Sequence, residues 1–128
     1  VQDDAAGQAR DVKVLLVEDE PLLREVVAGI LEDAGYDVTA TCTGDEAVIL
    51  LNEDLFSILL TDITIPGQID GIGLAEHARE IHPGLPVVFV SGRPDGEDRV
   101  RILGQPTEFF IKPCDAHSLV SAVSRLTR

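Results

Sequence analysis

Five short apolar runs, most of them followed by a stretch with helical spacing, constrain this chain more than any other feature. The first run is Val12-Lys13-Val14-Leu15-Leu16-Val17. It is nearly continuous in apolar residues rather than alternating, as expected of a strand covered on both faces. Glu18, Asp19 and Glu20 follow, then Pro21, whose missing N–H costs nothing in a first helical turn. Leu22, Leu23, Val26, Val27, Ile30, Leu31 and Ala34 recur at helical spacing, and Gly35 supplies a stop. The pattern repeats with a strand over 37–42 and a helix opening at Thr43-Gly44 that carries Ala47, Val48, Leu50 and Leu51. A third strand over 56–61 leads into a loop over 62–71. Leu74, Ala75, Ala78 and Ile81 then mark a helix stopped by Pro83-Gly84. Strands over 86–90 and 108–112 follow, and Asp115 can cap a last helix bearing Leu119, Val123 and Leu126. Between those strands, 93–105 holds Pro94, Gly96 and Gly104 and only three apolar residues beyond glycine and proline, which predicts a short, poorly anchored fourth helix. Strands alternating with helices predict an α/β three-layer sandwich: a five-stranded parallel sheet with helices on both faces.

A parallel sheet gathers the carboxyl ends of its strands at one edge, and such sheets bind ligands outside that edge. Glu18 and Asp19 follow the first strand, Asp62 the third, Ser91 the fourth, and Lys112 ends the fifth, before Pro113. An aspartate after a strand is usually a turn or cap residue; here the four other groups in register argue for a site. Converging carboxylates raise each other's pKa, and a bound cation relieves the repulsion. Mg2+ suits one or two carboxylates together with phosphate oxygens and retained waters. Lys112 is one of only two lysines, with Lys13, so a lysine closing an apolar strand stands out. A metal, a nucleophilic carboxylate, an ammonium and a hydroxyl are what phosphoryl transfer asks of a protein. The expectation is that Asp62 attacks phosphorus. Asp19 ligates Mg2+ directly, Glu18 does so directly or through water, and Thr64 lends its backbone carbonyl. Lys112 and Ser91 contact the phosphoryl oxygens.

Composition narrows the context. The chain of 128 residues suits one domain, expected at 12–128 behind a polar tail at 1–11. A formal net charge of −13 repels phosphate backbones and anionic lipids, so neither nucleic acid nor membrane is expected as a partner. The N-terminus lacks a basic segment followed by an apolar one, and a cytoplasmic location is expected. Cys42 and Cys114 have no companion at metal-ligand spacing and read as free thiols. His77, His82 and His117 lack ligand partners, and none is a phosphohistidine candidate.

At these residues the chain resembles the receiver domain of two-component response regulators, of the chemotaxis-regulator type. The matching pieces are Leu15-Leu16-Val17-Glu18-Asp19-Glu20, Leu60-Thr61-Asp62-Ile63-Thr64-Ile65-Pro66-Gly67, Asp70-Gly71, Val90-Ser91-Gly92 and Phe109-Phe110-Ile111-Lys112-Pro113. They fall in family order across nearly the whole chain. The resemblance implies a flavodoxin-like strand order of 2-1-3-4-5 and a cis Lys112-Pro113 bond. It implies a phosphorelay in which Asp62 takes a phosphoryl group, with Mg2+, from a histidine kinase or histidine phosphotransfer protein. It further implies a switch in which Ser91 and Phe109 change position and signal to a protein partner. On this reading the chain is a phosphoacceptor rather than an enzyme, with intrinsic autodephosphorylation, acting as a stand-alone receiver and a monomer or weak homodimer. A receiver excised from a hybrid histidine kinase or longer regulator is the alternative. A metal-dependent aspartyl-phosphate phosphatase fits less well, because Thr64 stands where a second aspartate is typical. A flavin-binding protein is opposed by the acids after the first strand. A receiver that no longer accepts phosphate is opposed by the intact acids and Lys112.

Four departures from the family pattern bear on function. Pro66-Gly67-Gln68-Ile69-Asp70-Gly71 holds one residue more than is usual. Phe109 lacks the hydroxyl of the common tyrosine. Arg93, two residues beyond Ser91, is placed to reach toward the phosphoryl group or its water and to modulate dephosphorylation. The fourth helix is weak.

Overall fold

The structure, a computed structural model, describes residues 11–93 and 96–128. Except for Asp11, the expected tail at 1–11 lies outside the described residues. The elements are β1 (Lys13–Val17), α1 (Pro21–Asp33), β2 (Asp37–Thr41), α2 (Gly44–Glu53), β3 (Ile58–Asp62), α3 (Gly71–Ile81), β4 (Val87–Ser91), α4 (Gly96–Arg101), β5 (Thr107–Ile111) and α5 (Ala116–Leu126). All strand pairs are parallel, and the order is β2-β1-β3-β4-β5. This is the expected order, with strand ends within two residues of those read from the sequence. Lys112-Pro113 is cis as expected, and so is Gln105-Pro106.

Successive strand side chains point to opposite faces, and this alternation sorts the apolar residues into two cores. Leu15, Val17, Leu59 and Phe89 pack with Ala47 and Leu51 of α2 and with Leu74, Ala75 and Ala78 of α3. Leu16, Leu60, Val88 and Val90 pack on the other side with Leu31 of α1 and with Leu119, Ala122 and Val123 of α5. β3 and β4 are buried throughout because both faces are covered. Phe109 joins the first core and Phe110 the second, as their neighbouring positions predict. Side-chain caps start three helices. Thr43 accepts from the Glu46 N–H, Asp70 from the Gly73 N–H and Asp115 from the His117 N–H.

The fourth helix is short, as expected, but it is not poorly anchored. Val100 is buried and Leu103 packs on the core. Arg79 of α3 reaches across to the segment after α4. Its guanidinium donates to the carbonyls of Leu85 (3.0 Å), Leu103 (3.0 Å), Gly104 (3.1 Å) and Pro106 (2.6 Å), and to Thr107 Oγ1 (2.8 Å). Five donors from one planar group tie together the turn before β4 and the segment between α4 and β5, where only the Pro106 carbonyl also accepts a backbone N–H, that of Val87. Nearer the start of α4, Arg99 pairs with Asp70 at 2.8 Å. Apolar spacing carries none of this, so the sequence made the segment look weaker than it is.

The lengthened loop after β3 is also held. Gln68 donates its N–H to Asp45 Oδ1 at 3.1 Å, and the Gly44 N–H donates to the Pro66 carbonyl at 3.4 Å. Ile69 packs over Gly44, where an added Cβ would fall 2.5 Å from Ile69 Cγ2. Gly71 is the tightest position: a Cβ there would lie 2.1 Å from the backbone oxygen of Asp62. Gly71→Ala should therefore displace the backbone at Asp62, the end of β3, and lower stability by about 1–3 kcal/mol, measured as a lower urea midpoint. Arg79→Ala should cost about 2–3 kcal/mol by leaving partly buried carbonyls without donors. Hydrogen exchange should then rise at 103–107 more than in β1 or β3, and a uniform rise would contradict the local pinning.

Candidate functional site

The backbone ladder brings the strand ends together before any side chain is considered. The Glu18 N–H bonds to the Thr41 carbonyl (3.0 Å), the Ile63 N–H to Val90 (3.3 Å) and the Lys112 N–H to Ser91 (2.8 Å), so each residue after a strand is still locked to its neighbour. Glu18 and Asp62 are then buried, 6% and 8% exposed, and Asp19 faces solvent.

Lys112 reaches over β4 to both buried acids. Its Nζ donates to Asp62 Oδ2 at 2.7 Å and to Glu18 Oε1 at 3.0 Å. The second oxygen of each acid is also used. Asp62 Oδ1 accepts from the Thr64 N–H at 3.2 Å, and Glu18 Oε2 accepts from the Glu20 N–H at 3.1 Å. Arg24 of α1 adds a bond to the Glu18 carbonyl at 2.9 Å. Burial alone would lower the pKa of Lys112, but the hydrogen bonds from Asp62 and Glu18, with their charges, outweigh it and raise the pKa. A raised pKa means that this ion pairing contributes fully below the ordinary value of 10.5 and fades only as pH rises through the higher folded value. Lys112 is thus a fixed cation across the neutral range.

Glu18, Asp19 and Asp62 each present an oxygen within 4.8 Å of the others. Three carboxylates against one ammonium leave a formal excess of two negative charges. An all-oxygen, anionic donor set suits a hard dication such as Mg2+ and disfavours softer metals that seek sulfur or imidazole. The residues present therefore fit the metal expected of them.

The remaining candidates stand in three relations to this centre. Thr64 is exposed and contacts Asp62 through its N–H. Ser91 is buried at the end of β4, one residue past Val90, the register partner of Asp62, and its Oγ accepts from the Arg93 N–H at 3.1 Å. Phe109 is half-buried, on the core face beneath α4. Arg93 is exposed, and among the described residues no hydrogen bond or ion pair brings its side chain to Asp62.

Gly96 links two of these groups to the acid, and the sequence reading missed it. A Cβ at Gly96 would lie 2.8 Å from Ile63 Cδ1, 3.5 Å from Phe109 Cε2 and 3.7 Å from Ser91 Oγ. The first residue of α4 therefore rests on the residue after Asp62, on the aromatic of β5 and beside the hydroxyl of β4. Its only sequence signal was a glycine in a segment already rich in turn formers. The pairing of Glu18 with Lys112 was also missed, because 94 positions separate them.

The family description "Response regulator receiver domain" matches residues 14–124. The chain is 45% identical over 120 residues to the response regulator receiver protein CpdR of Brucella abortus (strain 2308), covering 89% of this chain and 95% of that protein. It is 32% identical to the virulence transcriptional regulatory protein PhoP of Salmonella choleraesuis (strain SC-B67), of which it spans 52%. Among solved structures, a response regulator receiver protein from Sinorhizobium medicae WSM419 superposes with a TM-score of 0.83 at 35% identity, covering 91% of this chain and 94% of that one. The receiver domain from the hybrid histidine kinase CckA superposes with a TM-score of 0.77 at 32% identity, covering 91% and 99%. No described helix is long and apolar enough to cross a membrane. With its strand order, its acid cluster and these matches agreeing, the chain belongs to the response regulator receiver domain family of two-component signalling.

Proposed function

We propose that Asp62 accepts a phosphoryl group from a phosphohistidine donor and that the protein signals through the rearrangement that follows. The observation that carries this reading is the buried Asp62 carboxylate, hydrogen-bonded by Lys112 and gathered with Glu18 and Asp19. In the transfer, an Asp62 oxygen forms a bond to phosphorus as the P–N bond to the donor's imidazole breaks, and that ring nitrogen keeps the electron pair. Glu18, Asp19 and Asp62, with the Thr64 carbonyl, would hold Mg2+, which supplies positive charge against the equatorial oxygens. Lys112 neutralises a phosphoryl oxygen from the β5 side, and Ser91 donates its hydroxyl to another.

The readout runs through Ser91 and Phe109. Once Ser91 turns toward the phosphoryl group, Phe109 packs differently beneath Gly96, and α4 follows. Lacking a hydroxyl, Phe109 works by packing alone. Arg93 sits two residues past Ser91 and modulates phosphoryl lifetime. The donor is a histidine kinase or histidine phosphotransfer protein, the output partner a protein, and the setting the cytoplasm. A second reading, a receiver joined to a hybrid histidine kinase or a longer regulator, is favoured by the likeness to the CckA receiver domain and by the half-length match to PhoP. Both readings share the chemistry at Asp62.

Acetyl phosphate with Mg2+ should add one phosphoryl group, visible as a mass shift. Asp62→Asn should abolish it, and label retained in that variant would refute the central claim. Chelating the divalent metal should stop labelling of wild type. Lys112→Ala should slow labelling by roughly 10²-fold, the scale of losing one electrostatic contact to a transferring group. Arg93→Ala should change the dephosphorylation half-life; equal half-lives would remove Arg93 from the mechanism.

A further inference from the structure

We propose that the edge of the sheet opposite Asp62 carries a docking surface for a segment of a protein partner that presents large apolar side chains flanked by lysine or arginine. A recess of about 370 Å3 lies there, lined by the last turns of α2 and α3 and the segments that follow them. Leu51, Phe56 and Leu85 are its buried floor. Leu55 and Ile81 stand on its rim, 79% and 47% exposed. Ile49, 56% exposed, lies one turn before Asn52 and Glu53 and extends the apolar surface along α2. Single apolar residues on a surface are ordinary, but three large aliphatic side chains grouped at one apolar-floored recess make a patch that a partner would bury. His77 Nε2 lies 3.2 Å from Asn52 Oδ1 and ties α3 to α2 beside it.

Two features set the partner's charge. A helix C-terminus carries partial negative charge, from carbonyls without intrahelical donors, and here two of them meet at one recess. The last turn of α2 holds no basic residue. That of α3 holds Arg79, but its guanidinium is turned to the carbonyls of Leu85, Leu103, Gly104 and Pro106. Carboxylates add to the helix ends. Glu53 and Asp54 line the recess, and Glu76 and Glu80 are exposed on α3. Lys13 pairs with Asp54, whereas Glu53, Glu76 and Glu80 pair with no lysine or arginine among the described residues. An apolar segment with basic flanks complements this surface in both respects. A small molecule inside the recess would leave Leu55 in water, whereas a chain segment lying across it covers Leu55 together with Ile81 and Ile49. A second copy would bring the same acids together, on a chain whose formal net charge is −13. Because β3 runs from this edge to Asp62, the surface is separate from the phosphoryl site and its test needs no phosphodonor.

The test is a titration of the isotope-labelled full chain with a short capped peptide of leucine, lysine and arginine, leucine recurring at helical spacing, followed by amide chemical shifts. A peptide with serine for leucine and one with glutamate for the basic residues are the controls. Saturable shifts centred on Leu55, Phe56, Ile81 and His82 are expected with the first peptide. Each control should bind about tenfold more weakly or worse. Leu55→Ser removes a side chain that is mostly in water, so the fold should survive, and affinity should fall about tenfold. Ile81→Ser decides if that variant fails to fold. Glu53→Lys should weaken binding about fivefold at low ionic strength. No saturation, shifts centred on α1 or β5, equal binding of the serine peptide, or unchanged affinity in a folded Leu55→Ser would overturn the proposal. Two further outcomes would also overturn it by naming another occupant. Concentration-dependent shifts at Leu55 and Ile81 without peptide, with a dimer in sedimentation, would assign the face to a second copy. Saturable binding of 1-octanol at the same residues, as tight as the peptide, would assign it to a small molecule.

Discussion

Two carboxylates, Glu18 and Asp62, are more than nine-tenths buried and share a single ammonium. Everything else in the structure is arranged around holding that combination. Buried charge is tolerated only when it is paired and hydrogen-bonded, and both acids meet that condition: each has one oxygen on Lys112 and one on a backbone N–H. Even so, the cluster with Asp19 carries more negative than positive charge. A site that is complete in hydrogen bonds yet short of positive charge is poised to take a dication.

Holding Lys112 there requires the parallel sheet. The side chain must pass over β4 to reach the ends of β3 and β1, which works only if the strand ends are level and the lysine is fixed at its backbone. The Lys112 N–H on the Ser91 carbonyl provides that fixing. The level ends come from the register of four parallel pairs, and those pairs persist because apolar residues alternate cleanly into two cores.

Around the acid, close approach replaces bulk. Gly71 lies against the Asp62 carbonyl, and Gly96 against Ile63, Phe109 and Ser91. Both glycines leave room for these close contacts, so the start of α4 sits directly on Ile63, the residue after Asp62. Arg79 holds the far end of that segment with five hydrogen bonds, whereas the Arg99–Asp70 pair near its start is exposed, a class of contact worth about 0–1 kcal/mol. By hydrogen bonds and ion pairs, the end held by Arg79 is therefore the more firmly tied of the two.

The element order, the two-faced burial of the central strands and the gathering of Glu18, Asp19, Asp62, Ser91 and Lys112 at one sheet edge were legible from the amino-acid order. Apolar periodicity and strand-end chemistry are local signals, and parallel crossovers turn them into one edge. Tertiary structure alone decided how these groups pair. That Lys112 binds Glu18 as well as Asp62, that Arg79 anchors a segment that looked loose, and that Gly96 touches both Ser91 and Phe109 are contacts between residues far apart in the chain, with no periodicity to announce them. Asp62 could be read from its neighbours in sequence; what holds its carboxylate, and what leans on it, depended on side chains whose length and direction only packing fixes.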